Sequence, residues 1–228
     1  MGEIWRGFLI ALKLIVTFDP EVVEITLRSL MISATATLVA AAICIPLGSI
    51  IHFSTFPGKK ALINIIQTLF SVPTVVVGLI VFVFFSRAGP LGFMGLLFTP
   101  TIMVIGEVLL VIPLITGMTI AALRGVDVAI AETARTLGAN SVQTAVTVIK
   151  EAKFAVMAAV IMGFGRAISE VGLALMVGGN IRGFTRIMTT AISLETSMGN
   201  VELSIALGII LLFIALIVET ILFLIQQK

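Results

Sequence analysis

Long intervals without charge alternate with short polar ones, and that alternation sets the plan of the chain. No Asp, Glu, Lys or Arg falls between Arg28 and Lys59, or between Lys60 and Arg87. A membrane crossing needs roughly 20 predominantly apolar residues. The apolar intervals predict crossings at residues 25–51, 61–86, 101–123, 154–178 and 203–225. Prolines punctuate them. Pro46 with Gly48 predicts a kink late in the first, Pro73 a break in the second and Pro113 a kink in the third. In a bilayer such breaks are tolerated where protein or a watery cavity satisfies the freed backbone groups.

The flanking intervals predict smaller elements. Residues 1–18 set Glu3, Arg6 and Lys13 among Ile4, Trp5, Phe8, Leu9, Leu12 and Ile15, which predicts an interfacial amphipathic helix. A cleaved leader and a sixth, short span are the alternatives. Asp19, Pro20 and Glu21 begin the next helix, because proline suits a first turn and acids favour its positive end. Residues 87–100 read as a loop with some helix. Gly178, Gly179 and Asn180 form a stop. Residues 181–202, with six Thr and Ser among Ile and Met, predict a short helix outside the membrane or dipping into it.

Residues 127–138 form a polar island between two apolar runs. Asp127 suits a helix N-cap and Gly138 a left-handed helix stop. Between them Ile130, Ala134 and Leu137 share one face. Glu132 and Arg135 point elsewhere, at a spacing that allows a weak pairing. Residues 141–153 continue helically. With Lys59 and Lys60 on the cytoplasmic side, alternation places 87–100 outside, 124–153 inside, 179–202 outside and the C-terminus inside.

Composition turns this pattern into a class. The chain is 59% hydrophobic and 11% charged, with mean hydropathy +1.24. A soluble domain carries about 25% charge. The net charge of +2 leaves no patch suited to nucleic acid. Cys44 reads as a packed thiol and His52 as an interfacial or capping residue. The sequence contains neither a GxxxxGK[ST] phosphate loop nor an HExxH pair. No metal, cofactor or catalytic residue is therefore expected on this chain.

Charges inside predicted crossings are costly and tend to face a pathway or a bundle interior. Arg166 and Glu170, at i and i+4, are expected to pair with each other. Glu107 has no local partner, which leaves Arg124, Arg166 or a second chain to supply one. For Ser33, Ser71, Thr74 and Thr116 the default is a bond back to a helix carbonyl. Thr74 is the stronger candidate for a polar path, because Pro73 frees backbone groups beside it.

Glu132, Thr133, Ala134, Arg135, Thr136, Leu137 and Gly138 resemble the cytoplasmic EAA loop of ABC importer permeases. The usual Leu-Pro ending is replaced by Lys150 and Glu151 after Val148 and Ile149, which predicts a more continuous helix into the fourth crossing. Residues 165–172, containing Arg166, Ser169 and Glu170, resemble the GRAxxEfG segment of molybdate and tungstate permeases. Residues 71–78, containing Ser71, Pro73 and Thr74, resemble their proline-broken core helix. Residues 178–202 are most similar to tungstate-specific members.

The resemblance covers residues 22–225 and implies an all-α, type I ABC importer transmembrane fold, one permease domain over residues 1–228. It implies about five spans, an N-terminal amphipathic helix and a coupling helix at 126–138. It further implies a homodimer in the inner membrane, two separate ATPase subunits carrying ATP and Mg, and an extracytoplasmic substrate-binding protein. Asp127, Ile130, Glu132, Thr133, Ala134, Arg135, Leu137 and Gly138 would couple to the ATPase. Ser71, Pro73, Thr74, Arg166, Ser169 and Glu170 would line or gate the path. The alternatives are the same architecture for molybdate, sulfate or another anion, a stand-alone carrier or channel, and a membrane scaffold.

Overall fold

A computed structural model describes residues 2–226, and every regular element in them is helical. The helices are α1 (Gly2–Val16), α2 (Pro20–Phe53), α3 (Lys59–Thr68), α4 (Thr74–Phe85), α5 (Pro100–Arg124) and α6 (Val128–Thr136). They continue with α7 (Ser141–Glu151), α8 (Lys153–Ile168), α9 (Gly172–Gly178), α10 (Met188–Ser197) and α11 (Val201–Gln226).

Three helices are long and apolar enough to cross a membrane unaided: α2, α5 and α11. The α2 helix begins where Asp19 accepts the N–H groups of Glu21 and Val22, each at 3.1 Å. Its 34 residues run unbroken past Pro46 and Gly48. At 1.5 Å per residue it is about 51 Å long, well over the ~30 Å hydrocarbon core. The α5 helix likewise runs through Pro113.

The second and fourth predicted crossings are not straight. Residues 61–86 divide into α3, a 3₁₀ turn at Leu69–Ser71 and α4, with a bend of 98°. Residues 154–178 divide into α8 and α9, bent by 60°. Each pair is either a broken span or a re-entrant loop, so the described chain has three to five crossings. Hydropathy records how apolar a segment is, not its direction, and this is why the bends escape it.

Pairing of α2 with α5 builds the centre, where Ala36, Ala40 and Cys44 meet Val108, Val111 and Ile115. Ala36, Ala40 and Cys44 are small and fully buried, letting the two helices approach closely. The α4, α5 and α9 helices close a second cluster around Val81, Ile102, Met103 and Leu173. The α1 helix packs along α11 through Ala11, while Trp5, Phe8, Leu9 and Leu12 stay exposed. Arg6 pairs with Glu202 at 3.1 Å. At 15 residues α1 is shorter than the roughly 20 that a crossing needs, and it turns an apolar face outward from α11.

Candidate functional site

Two places gather the residues singled out above. The first is α6. Asp127 caps it, its carboxylate accepting the Ala129 N–H at 2.9 Å. Gly138 ends it at φ +88°, where the Gly138 and Ala139 N–H groups donate to the Arg135 and Ala134 carbonyls. Any Cβ at that φ is strained. Both ends of the helix are therefore fixed by local chemistry.

The two sides of α6 differ. Ala131 turns inward against a cluster of Leu123, Val148, Ala152 and Val156 that anchors the helix to α5, α7 and α8. Ile130, Thr133, Ala134 and Leu137 line an open groove of about 480 Å³ with Ala129, Ala139 and Thr147. Leu137 is 83% exposed, and Val142 on α7 is 72% exposed. These exposed apolar side chains lie side by side on a polar, non-spanning part of the chain. Glu132 and Arg135 face the other side, lining a second cavity with His52, Arg124 and Asp127. No ion pair forms between Glu132 and Arg135 among the described residues.

The α7 helix follows directly. Asn140 and Gln143 form a capping box, Asn140 Oδ1 accepting the Gln143 N–H at 2.9 Å and Gln143 Oε1 the Asn140 N–H at 2.8 Å. The N-x-x-Q pattern that encodes it is visible in the sequence and was not among the expected signals. Between α7 and α8 the interruption is one residue, Ala152. Its N–H still reaches the Val148 carbonyl, and its carbonyl accepts the Val156 N–H, both at 2.9 Å. With Lys150 and Glu151 in place of Leu-Pro, no proline removes a donor here.

The second place lies where the two helix breaks meet. A methyl group at Gly172 would fall 2.8 Å from Val75 Cγ2, 3.3 Å from Thr74 Oγ1 and 3.7 Å from Glu170 Oε1. The start of α4 therefore lies against the start of α9. One turn further, a methyl at Gly78 would fall 2.9 Å from the Leu173 Cα. Only glycine permits this backbone approach of α4 to α9. The hydropathy pattern gave no sign of it.

Glu170 organises this junction. It is 2% exposed and pairs with Arg166 at 3.1 Å, the expected contact. Its other oxygen accepts the Leu173 N–H at 2.9 Å and so caps α9. Its backbone carbonyl accepts the Thr189 hydroxyl at 2.6 Å. With these contacts made, Glu170 is a buried structural joint, whereas Arg166 (34% exposed) and Ser169 reach an open surface. Ser71 and Pro73 are exposed and Thr74 half-buried.

The hydroxyls do not follow the expected division. Back-bonding is made by Ser29, Thr37, Ser49 and Ser169. None of Ser33, Ser71, Thr74 or Thr116 makes such a bond among the described residues, and the Thr116 hydroxyl is buried beside the Cys44 thiol. Pro73 leaves α4 without a side-chain cap. Thr74 thus keeps its hydroxyl available beside an open helix start. In contrast, Thr185, Thr189 and Thr190, in the segment expected to form a short helix outside the membrane or dipping into it, are buried and bonded to backbone. Glu107 is fully buried on α5 and neither carboxyl oxygen has a partner of hydrogen-bond geometry. Ser33 and Glu170 are its polar neighbours, and neither Arg124 nor Arg166 reaches it.

Among the described residues no cluster of His, Cys, Asp or Glu suits a metal ion. Residues 44–228 match the family described as binding-protein-dependent transport system inner membrane component. A tungstate uptake system permease protein TupB from Peptoclostridium acidaminophilum is 43% identical over 228 residues, covering 100% of both chains. A probable anion ABC transporter permease protein from Haloferax volcanii is 40% identical over 199 residues, covering 85% of this chain and 86% of that one. The fold matches a bacterial alginate ABC transporter solved in complex with an alginate pentasaccharide-bound periplasmic protein. The TM-score is 0.74 at 20% identity, over 95% of this chain and 84% of that one. The chain is a multi-pass inner-membrane protein and belongs to the inner-membrane component family of binding-protein-dependent transport systems.

Proposed function

We propose that this chain is the path-forming permease subunit of an ATP-driven oxyanion importer, with tungstate as its substrate. The observation that carries the substrate is the 43% identity, end to end, to a tungstate uptake permease. The chain itself hydrolyses nothing. ATP and Mg belong to two separate ATPase subunits, and the exposed apolar face of α6, with Ile130, Ala134 and Leu137, sits in a groove of the ATPase in the manner of helix-in-groove recognition. Asp127 and Gly138 hold the length of that helix, while Glu132, Thr133 and Arg135 flank it. Two copies of the chain pair around the path. An extracytoplasmic binding protein delivers the anion, as the periplasmic protein in the alginate complex suggests by analogy.

Ser71, Pro73, Thr74, Arg166 and Ser169 line the path, and Glu170 supports it from behind. A tetrahedral dianion passing there meets hydroxyls, an uncapped helix start and one guanidinium, a sparse set of donors that does not trap it. High affinity then resides in the delivery protein. ATP binding favours one of two permease conformations by its differential affinity, and hydrolysis restores the other.

The test is uptake by the complex of permease, ATPase and binding protein in liposomes, with labelled tungstate and with molybdate and sulfate as competitors. Tungstate should accumulate, molybdate should compete less well and sulfate least. Preferred uptake of molybdate or sulfate would keep the architecture and overturn the substrate.

A further inference from the structure

The packing of the chain gathers into two clusters on its outer side, joined to each other through α2. One is α1, α10, α11 and the first half of α2, joined through Ala11, Val22, Ile25, Met188, Ala206 and Leu207. The other is α4, α5 and α9, joined through Val81, Ile102, Met103 and Leu173, with Ile32 of α2 and Ile187 just before α10 packed into it as well. The α10 helix packs mainly on α11, and the Met188 N–H donates to Ser29 Oγ of α2 at 2.9 Å. By these contacts α10 belongs mainly with the first cluster, while Ile187 and a bond from Asn180 Nδ2 to the Thr190 carbonyl at 3.3 Å reach the second. Thr189, the residue after Met188, donates its hydroxyl to the Glu170 carbonyl at 2.6 Å, across to the α8–α9 break. Among the described residues this is the side-chain hydrogen bond that ties α10 to that break.

Glu170 is well suited to receive it. Its side chain is anchored on both sides, to Arg166 of α8 and to the first turn of α9. Its carbonyl, in the non-helical break, therefore moves with both helices. Below it α8 continues into α7 with a one-residue interruption, and α7 packs on α6. A continuous line of hydrogen-bonded backbone thus runs from the cytoplasmic helix to the break, and the Thr189 hydroxyl extends it to α10.

We propose that Thr189 is a positioning residue for transport: alongside the packing of α8 on α2 and α11, its hydroxyl makes α10 follow displacement of the α8–α9 break and so opens the path on the outer side. This rests on the importer reading above. In that reading α6 moves with the ATPase, α8 follows, and α10 is drawn along through the Glu170 carbonyl. Without the hydroxyl, ATP turnover would continue while α10 lagged.

The experiment compares Thr189→Val, Thr189→Ser and Ser29→Ala in the full complex in liposomes, reading tungstate moved per ATP hydrolysed together with thermal stability. Ser29→Ala removes an equally buried acceptor from the neighbouring residue of the same helix and controls for simple loosening. Thr189→Val should lower the transport-to-ATP ratio on the order of fivefold, the effect of one hydrogen bond. Thr189→Ser should restore it, and Ser29→Ala should lower stability while keeping the ratio. An unchanged ratio in Thr189→Val, or equal loss in Thr189→Val and Ser29→Ala, would overturn the proposal. So would failure of Thr189→Val alone to assemble, which would assign the residue to folding. Absence of tungstate transport by the wild-type complex would instead remove the importer reading, and this inference with it.

Discussion

Glycines and carboxylates set the geometry at the residue scale. Gly138 holds φ +88°, so Gly138→Val should cost about 1–2 kcal/mol locally and misplace the end of α6. The variant should insert normally and lose co-purification with the ATPase, as should Glu132→Lys; retained co-purification in both would contradict the docking role. Gly78 permits contact with the Leu173 backbone, and Gly78→Val should destabilise the chain by roughly 1–3 kcal/mol through overpacking. A thermal-shift measurement in detergent would check it. Glu170→Ala leaves the α9 start uncapped and Arg166 without its partner and should cost roughly 1–3 kcal/mol. Glu170→Gln keeps an acceptor for the Leu173 N–H and should cost less in the same assay. The caps at Asp127 and Gly138 were legible in sequence because each bonds within its own helical turn. The Thr189 contact was not, because its partner is 19 residues away and comes within reach only through the α8–α9 bend.

At the scale of elements, the apolar stripe of α6 was also legible, since Ile130, Ala134 and Leu137 follow helical spacing. The structure adds which side of the helix is left uncovered. Burying side chains such as Ile130 and Leu137 is worth about 1.5–3 kcal/mol each. Ile130→Asp with Leu137→Asp should therefore weaken ATPase binding by on the order of a hundredfold or more, measured by titration of ATPase onto permease in nanodiscs. Unchanged affinity would move the contact elsewhere. The broken helices were only half legible. Pro73 announced an interruption but not its 98° angle, and the α8–α9 bend has no proline at all. That bend is set by Glu170 capping a new helix start, a tertiary arrangement assembled by Arg166 and Thr189. Pro46 and Pro113 show the converse, as both stay inside continuous helices.

Across the whole molecule, the two outer clusters and the cytoplasmic hairpin of α6 and α7 are linked by α2, α5 and the α7–α8 line. The apolar pattern located this assembly in a membrane without any structure. Packing then identified the centre, where small residues of α2 meet α5, and the junction where two interrupted helices face each other. On the importer reading, this chain conducts an oxyanion only when driven by a separate ATPase. The most direct measurement is tungstate accumulation in proteoliposomes containing the chain alone, the chain with its ATPase, and the chain with ATPase and binding protein, each with and without ATP. Accumulation is expected only in the full complex with ATP, with no hydrolysis by the chain alone. Gradient-driven uptake by the chain alone, indifferent to ATP and to both partners, would contradict that reading.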